Sequence, residues 1–188
     1  MSKAFNTDIK LAERFLQLKD EYQISVAIET GTYHGDTTIW LAQNFDTVYT
    51  VEYDKRYLEI ANQQILNYPN INSFLGNSTE FLVKFLADSK GKNCIIFLDA
   101  HWYANPVLRE LDRIKESGTK PVLAIHDFKV PSRPDLGYDV YPDQNIVYEW
   151  DWIKTKIEAI YGPEGYEIEY NTYSSLNMRG CIFILPKK

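Results

Sequence analysis

Five short apolar runs recur at near-regular spacing: S-V-A-I-E at 25–29, T-V-Y-T-V-E at 47–52, N-S-F-L at 72–75, C-I-I-F-L at 94–98 and P-V-L-A-I at 121–125. Runs of this length suit strands buried on both faces, and such strands belong to parallel sheets whose crossover connections are helices. The stretches between the runs carry apolar residues at helical spacing. The alternation predicts an α/β fold, doubly wound, with a mostly parallel sheet and helices on both faces.

Caps place the helices. Thr7 and Asp8 can cap a helix running to about Lys19, with Ile9, Leu11, Phe15 and Leu18 on one face. Further helices are expected over 37–44, over 55–66, from Ser78 or Thr79 to about Ala87, and over 106–116. After Asp127 the rhythm breaks. Residues 129–144, K-V-P-S-R-P-D-L-G-Y-D-V-Y-P-D-Q, hold three prolines, one glycine and two tyrosines, which predicts an ordered loop. A helix follows over about 148–161, and strands over 166–170 and 180–185 complete a seven-stranded sheet as an antiparallel edge pair.

At 188 residues, 45% hydrophobic and 24% charged, the chain fits one domain spanning 1–188. Within it, 1–22 is an N-terminal helical segment. Residues 128–147 form the candidate substrate loop or lid, with Tyr138 and Tyr141 on its wall; a solvated connection is the alternative. A net charge of −6, with no Lys/Arg block longer than a pair, argues against nucleic acid as a main partner. No signal peptide is visible and nothing approaches the roughly 18 apolar residues of a span, so no membrane partner is expected and the cytoplasm is the default. Cys94 and Cys181 each open an apolar run, where cysteine behaves as a small buried hydrophobe. The 14 Tyr, 9 Phe and 4 Trp suit a ligand cleft, a core or a subunit interface equally, which leaves a homodimer open.

Open α/β sheets bind ligands at the carboxyl ends of their strands, so functional polar residues should gather there. They do: Glu29 with Gly31, then Glu52, Asn77 with Ser78, Asp99 with His101, and His126 with Asp127. The first strand ends in E-T-G-T-Y-H-G-D-T-T at 29–38. Gly31 and Gly35 let the backbone approach a ligand where a Cβ would collide, and the following helix points free N–H groups there. A dinucleotide fingerprint reads G-x-G-x-x-G, but Tyr33 stands at its middle glycine, which disfavours a pyrophosphate. An amino-acid carboxylate, such as that of S-adenosylmethionine, can be held by these amides and the Thr37 or Thr38 hydroxyl. Glu29 would then receive the ammonium, directly or through water. A tight turn without a ligand is the alternative.

Glu52, about twenty residues further on, stands where a carboxylate accepts both ribose hydroxyls of an adenosine ligand; otherwise it caps a helix, a task Asp54 can also perform. Asn77 or Ser78 can meet an adenine edge, cap the next helix, or do both. Asp99, His126 and Asp127 can converge on one divalent cation that lowers the pKa of a substrate hydroxyl, with His101 as general base.

Together these residues resemble class I S-adenosylmethionine-dependent methyltransferases. Within that superfamily they resemble the small metal-dependent O-methyltransferases typified by catechol O-methyltransferase, and the related sugar and macrolide O-methyltransferase-like families. The likeness covers about residues 22–128. E-T-G-T-Y-H-G-D-T-T fits the group's first motif, V-E-Y-D its ribose-binding acid and G-N-S its adenine-side turn. F-L-D-A-H-W fits its fourth-strand acid and A-I-H-D-F-K-V-P its second metal-site segment. The resemblance implies the Rossmann-like class I methyltransferase fold and S-adenosylmethionine as cofactor. It puts Glu29, Thr30, Gly31, Thr32, Tyr33, Gly35, Thr37 and Thr38 at the methionine end, and Glu52 and Tyr53 at the ribose. Asn77 and Ser78 lie near adenine, and Asp99, Ala100 and His101 complete the cofactor's surroundings.

The candidate catalytic residues are His101, Asp99 and His126, and the metal ligands that the resemblance implies are Asp99, His126 and Asp127. Where the catechol-type enzymes carry a lysine after the fourth-strand acid, this chain offers His101, Trp102 and Tyr103. An imidazole at position 126 suits manganese, iron or zinc better than magnesium; alternatively His126 is the base and no metal binds. The implied activity is O-methylation of a small hydroxylated acceptor such as a sugar, polyketide or phenol. A cofactor-binding protein without turnover and an NAD-dependent oxidoreductase are the alternatives.

Overall fold

The computed structural model describes residues 3–100 and 105–188. Every expected strand is present to within one residue: β1 (Val26–Thr30), β2 (Thr47–Glu52), β3 (Ile71–Leu75), β4 (Cys94–Leu98) and β5 (Val122–His126). The 128–147 segment adds a two-stranded hairpin, β6 (Val140–Tyr141) and β7 (Ile146–Val147), and the chain closes with β8 (Tyr166–Tyr170) and β9 (Cys181–Pro186). The helices are α1 (Ile9–Glu21), α2 (Asp36–Asn44), α3 (Lys55–Ile65), α4 (Ser78–Asp88), α5 (Val107–Ser117) and α6 (Trp150–Tyr161). Three of them start on a side chain that accepts an otherwise orphaned amide: Asp8 from Leu11, Asp54 from Arg56, and Asn77 from Thr79.

The seven-stranded sheet runs β3-β2-β1-β4-β5-β9-β8. β1 to β5 are parallel; β9 pairs antiparallel with β5, and β8 antiparallel with β9. The expected antiparallel pair therefore forms that edge, with β9 inserted between β5 and β8.

Side chains alternate between the two faces, which splits the core in two. Val26, Ile28, Ile96, Leu98, Leu123 and Ile125 pack with Phe85, Leu111, Ile114 and Ile157 of α4, α5 and α6. Ala27, Val48, Ile95, Phe97 and Ala124 face the other way, against Phe15 and Leu18 of α1 and Leu41 of α2. A short 3-10 turn, Ala4–Thr7, precedes α1. Phe5 in it packs against Phe15 and Phe97 with ring centroids 4.7 and 5.4 Å away. Cys94 and Cys181 are buried and free.

Candidate functional site

The strand order reverses beside β1: the chain steps outward through β2 to β3, then returns to the other side as β4. Loops leaving β1 and β4 must diverge there, which opens a crevice at the carboxyl ends of the strands. A cleft of about 640 Å³ occupies that place. Gly31 and Tyr33 enter it from β1, Glu52 and Tyr53 from β2, Asn77 and Ser78 from β3, and Asp99 and Ala100 from β4.

Gly31 sits at φ 91, and a Cβ there would lie 2.7 Å from the Asp99 carbonyl oxygen. It lets the tips of β1 and β4 close on each other. Gly35, at φ 84, starts α2; a Cβ there would meet Ile65 of α3 at 2.9 Å, so its smallness serves helix packing.

Glu52 is nearly buried, and both of its oxygens are already engaged. Tyr33 N–H donates to Oε2 at 2.8 Å and Asp54 N–H to Oε1 at 2.9 Å. Each carboxylate oxygen has a second lone pair, so two acceptor sites stay available on the cleft wall. Two oxygens held side by side by backbone amides fit the vicinal hydroxyls of a ribose. Asp54 takes the helix cap, which frees Glu52 from that task.

Other residues of the first motif stand behind the wall. Glu29 is buried, and its Oε2 accepts from Thr38 at 2.5 Å and from Thr50 at 2.8 Å; the Thr50 hydroxyl lies 2.6 Å from that of Thr32. The Thr37 hydroxyl accepts from Phe5 N–H at 3.0 Å and so anchors the N-terminal turn. Thr30 is buried, and its hydroxyl has no hydrogen-bond partner among the described residues. Glu29 thus braces β1, β2 and α2 from inside.

A second buried acid, Glu110 of α5, has no hydrogen-bond partner for either carboxyl oxygen among the described residues. The nearby Ser78 and Thr30 hydroxyls favour the charged carboxylate and offset part of the effect of its burial, without closing a hydrogen bond. Burial pushes Glu110 up to about 7 and Glu29 up to about 8. For an acid, a raised folded pKa means that the folded chain holds the proton more tightly than the unfolded chain does. That stability is complete below the ordinary value of 4.5 and is lost as pH rises through 7 to 8. Melting curves between about pH 5 and 9 should show a falling Tm, and Glu110→Gln should flatten the part below about pH 7. A wild-type Tm that climbs across this range would rule the account out.

At the next strand tips, His126 Nδ1 lies 2.8 Å from Asp99 Oδ1 and 3.6 Å from Asp127 Oδ1. Burial opposes charge on the imidazole, but Asp99 and Asp127 more than offset it and hold His126 up at about 9. The pair of acids thus biases the imidazole towards its charged form beside Asp99. Donor atoms of Asp99, His126 and Asp127 lie within 4.8 Å of one another, close enough to converge on one ion. The set as arranged does not fit a divalent metal. Asp127 is ion-paired with Arg179, and the imidazole nitrogen turned towards the acids is engaged by Asp99. His126 and Asp127 also do not line the cleft, whereas Asp99 does. His101 lies outside the described residues.

No protein-family model matches the sequence, and no curated protein does either. Solved structures do. An O-methyltransferase from Bacillus cereus in complex with SAH aligns over 98% of this chain and 84% of its own, with TM-score 0.65 and 18% identity. The O-methyltransferase TomG from Streptomyces achromogenes, involved in tomaymycin synthesis and in complex with SAM, aligns over 95% and 80%, with TM-score 0.64 and 16% identity. The methyltransferase domain of bacterial CtHen1 aligns over 94% and 97%, with TM-score 0.61 and 12% identity. The chain has the class I methyltransferase fold.

Several residues of this methyltransferase fold escape sequence reasoning. Tyr57 and Arg109 line the cleft from the starts of α3 and α5, where they read as ordinary helix residues. The Tyr33 ring stacks on His34 at 3.8 Å and lies 4.8 Å from Tyr57, so the cleft has an aromatic rim. Arg179 stands 52 positions beyond Asp127, with no local signal to link them. Glu110 sits within V-L-R-E-L-D-R-I, an amphipathic pattern in which one acid resembles the next.

Proposed function

We propose that this chain is an S-adenosylmethionine-dependent methyltransferase that O-methylates a small hydroxylated molecule, such as a sugar, polyketide or phenol. The observation carrying this reading is Glu52: its carboxylate is fixed by two amides at the second strand tip and keeps two acceptor sites toward the cleft. Bound there, S-adenosylmethionine would supply an electrophilic methyl on a sulfonium and leave as a neutral thioether. Glu52 holds the ribose, the 31–33 turn faces the methionine end, and Asn77 and Ser78 face adenine. Asp99, at the cleft floor, faces the reacting centre. His126 is assigned a positioning role, holding Asp99 by the bond from Nδ1. The acceptor's proton passes to Asp99 or to His101, two residues further on, and orientation supplies much of the rate. A divalent metal is left out of this reading because Asp127 is already paired.

Calorimetric titration with S-adenosylhomocysteine tests the cofactor, and transfer from radiolabelled S-adenosylmethionine to a panel of hydroxylated acceptors tests the reaction. Saturable binding and a thermal shift that NAD does not reproduce are expected. A shift with NAD and none with S-adenosylhomocysteine would overturn the reading. Binding without transfer to any acceptor would reduce the chain to a cofactor-binding protein.

A further inference from the structure

We propose that Arg179 is the resident cation of the acidic strand ends, taking the place a divalent metal would otherwise fill beside Asp99, His126 and Asp127. The guanidinium engages two acids at once: Nε donates to Asp127 Oδ1 and Nη2 to Asp139 Oδ1. A guanidinium stays charged at any working pH, so this pairing is permanent where a metal would exchange.

The fold delivers Arg179 to this position. β9 pairs with β5 so that His126 faces Cys181, which brings the turn before β9 alongside the tip of β5. Backbone bonds fix that turn: Phe128 N–H donates to the Gly180 carbonyl at 2.9 Å, Gly180 N–H to the Gly137 carbonyl at 2.8 Å, and Gly137 N–H to the Met178 carbonyl at 2.9 Å. Gly137 also makes room for the side chain, since a Cβ there would lie 2.8 Å from Arg179 Nη1. A side chain at that point would push the guanidinium from its present place.

The charges agree. Asp127 and Asp139 share the one guanidinium, while Asp99 lies against His126. A divalent ion seated on Asp127 would face the fixed guanidinium, and like charges at such range repel. Without Arg179, Asp127 and the loop acid Asp139 would lose the cation they share and leave two carboxylates uncompensated. Asp139 also accepts from the Tyr141 hydroxyl at 2.9 Å through its other oxygen, so the same cation ties the 128–147 segment to the strand tip.

Mn²⁺ binding to the metal-stripped full chain, followed by the spectrum of free Mn²⁺, tests this without any assay of methyl transfer. It stands or falls separately from the proposed activity. Wild type and Asp127→Asn should both leave Mn²⁺ free. Arg179→Met should take up one Mn²⁺ at least about tenfold more tightly than wild type, and adding Asp127→Asn to it should abolish the gain. Arg179→Lys, which keeps the charge, should stay metal-free. The proposal is overturned if wild type binds Mn²⁺ and Asp127→Asn removes that binding, or if folded Arg179→Met gains none. Should Arg179→Met fail to fold, the comparison of wild type with Asp127→Asn decides alone.

Discussion

Glu52→Ala should weaken S-adenosylhomocysteine binding about a hundredfold, because it removes two charge-assisted hydrogen bonds to the ribose worth about 1.5 kcal/mol or more each. The carboxylate also holds the Tyr33 and Asp54 amides, so part of the loss comes from a looser cleft wall. Glu52→Gln separates the two contributions. An amide keeps one oxygen acceptor and the side-chain shape but loses the charge and the second acceptor. Its expected loss is about tenfold. Calorimetry reads both variants, and melting curves verify that they fold. Wild-type affinity in Glu52→Ala would remove the ribose assignment and with it the placement of the cofactor.

The second large effect is on turnover. Asp99→Asn should lower kcat about a thousandfold while leaving S-adenosylhomocysteine affinity within a few-fold. Asparagine is nearly isosteric and can still accept from His126 Nδ1, so the geometry of the pair survives and only the charge is lost. The imidazole should respond as well. Asp99 is the first of the charges that hold His126 up at about 9, so its pKa should fall toward the ordinary value of 6.5 in the variant. Nuclear magnetic resonance titration of the imidazole reads this independently of catalysis. A variant with full turnover and an unmoved imidazole would leave Asp99 as a wall residue only.

What could be read from the residues followed from burial. Strands β1, β4 and β5 are buried along their whole length, so they announce themselves as unbroken apolar runs. The polar residues closing them stood out for the same reason, and Gly31, Tyr33, Glu52, Tyr53, Asn77, Ser78, Asp99 and Ala100 do meet in one cleft. Glu29 was equally conspicuous, but a strand residue's neighbour in space depends on which face it takes. Glu29 turns inward to Thr38 and Thr50, so sequence could mark it and could not say what it touches. Arg179 gave no sign at all. Its meaning arises from β9 lying antiparallel beside β5, a long-range pairing that local pattern does not encode. Glu110 was hidden for the opposite reason, as one acid among several on a helix whose buried face is otherwise apolar.

The way β8 and β9 enter the sheet bears on how the chain reaches its native state. β8 comes first along the chain yet meets the sheet only through β9, so it has nothing to join until its successor arrives. Whichever pairing forms first, β9 must be in place before β8 has an edge to join. Until then the outer side of β5 is an apolar edge with unpaired amides, open to any stray strand in solution. Sealing that edge requires chain segments far apart in sequence to meet, which is the slow kind of search. Aggregation during refolding should therefore originate at this margin, and the ribbon that closes it acts as the molecule's own protection.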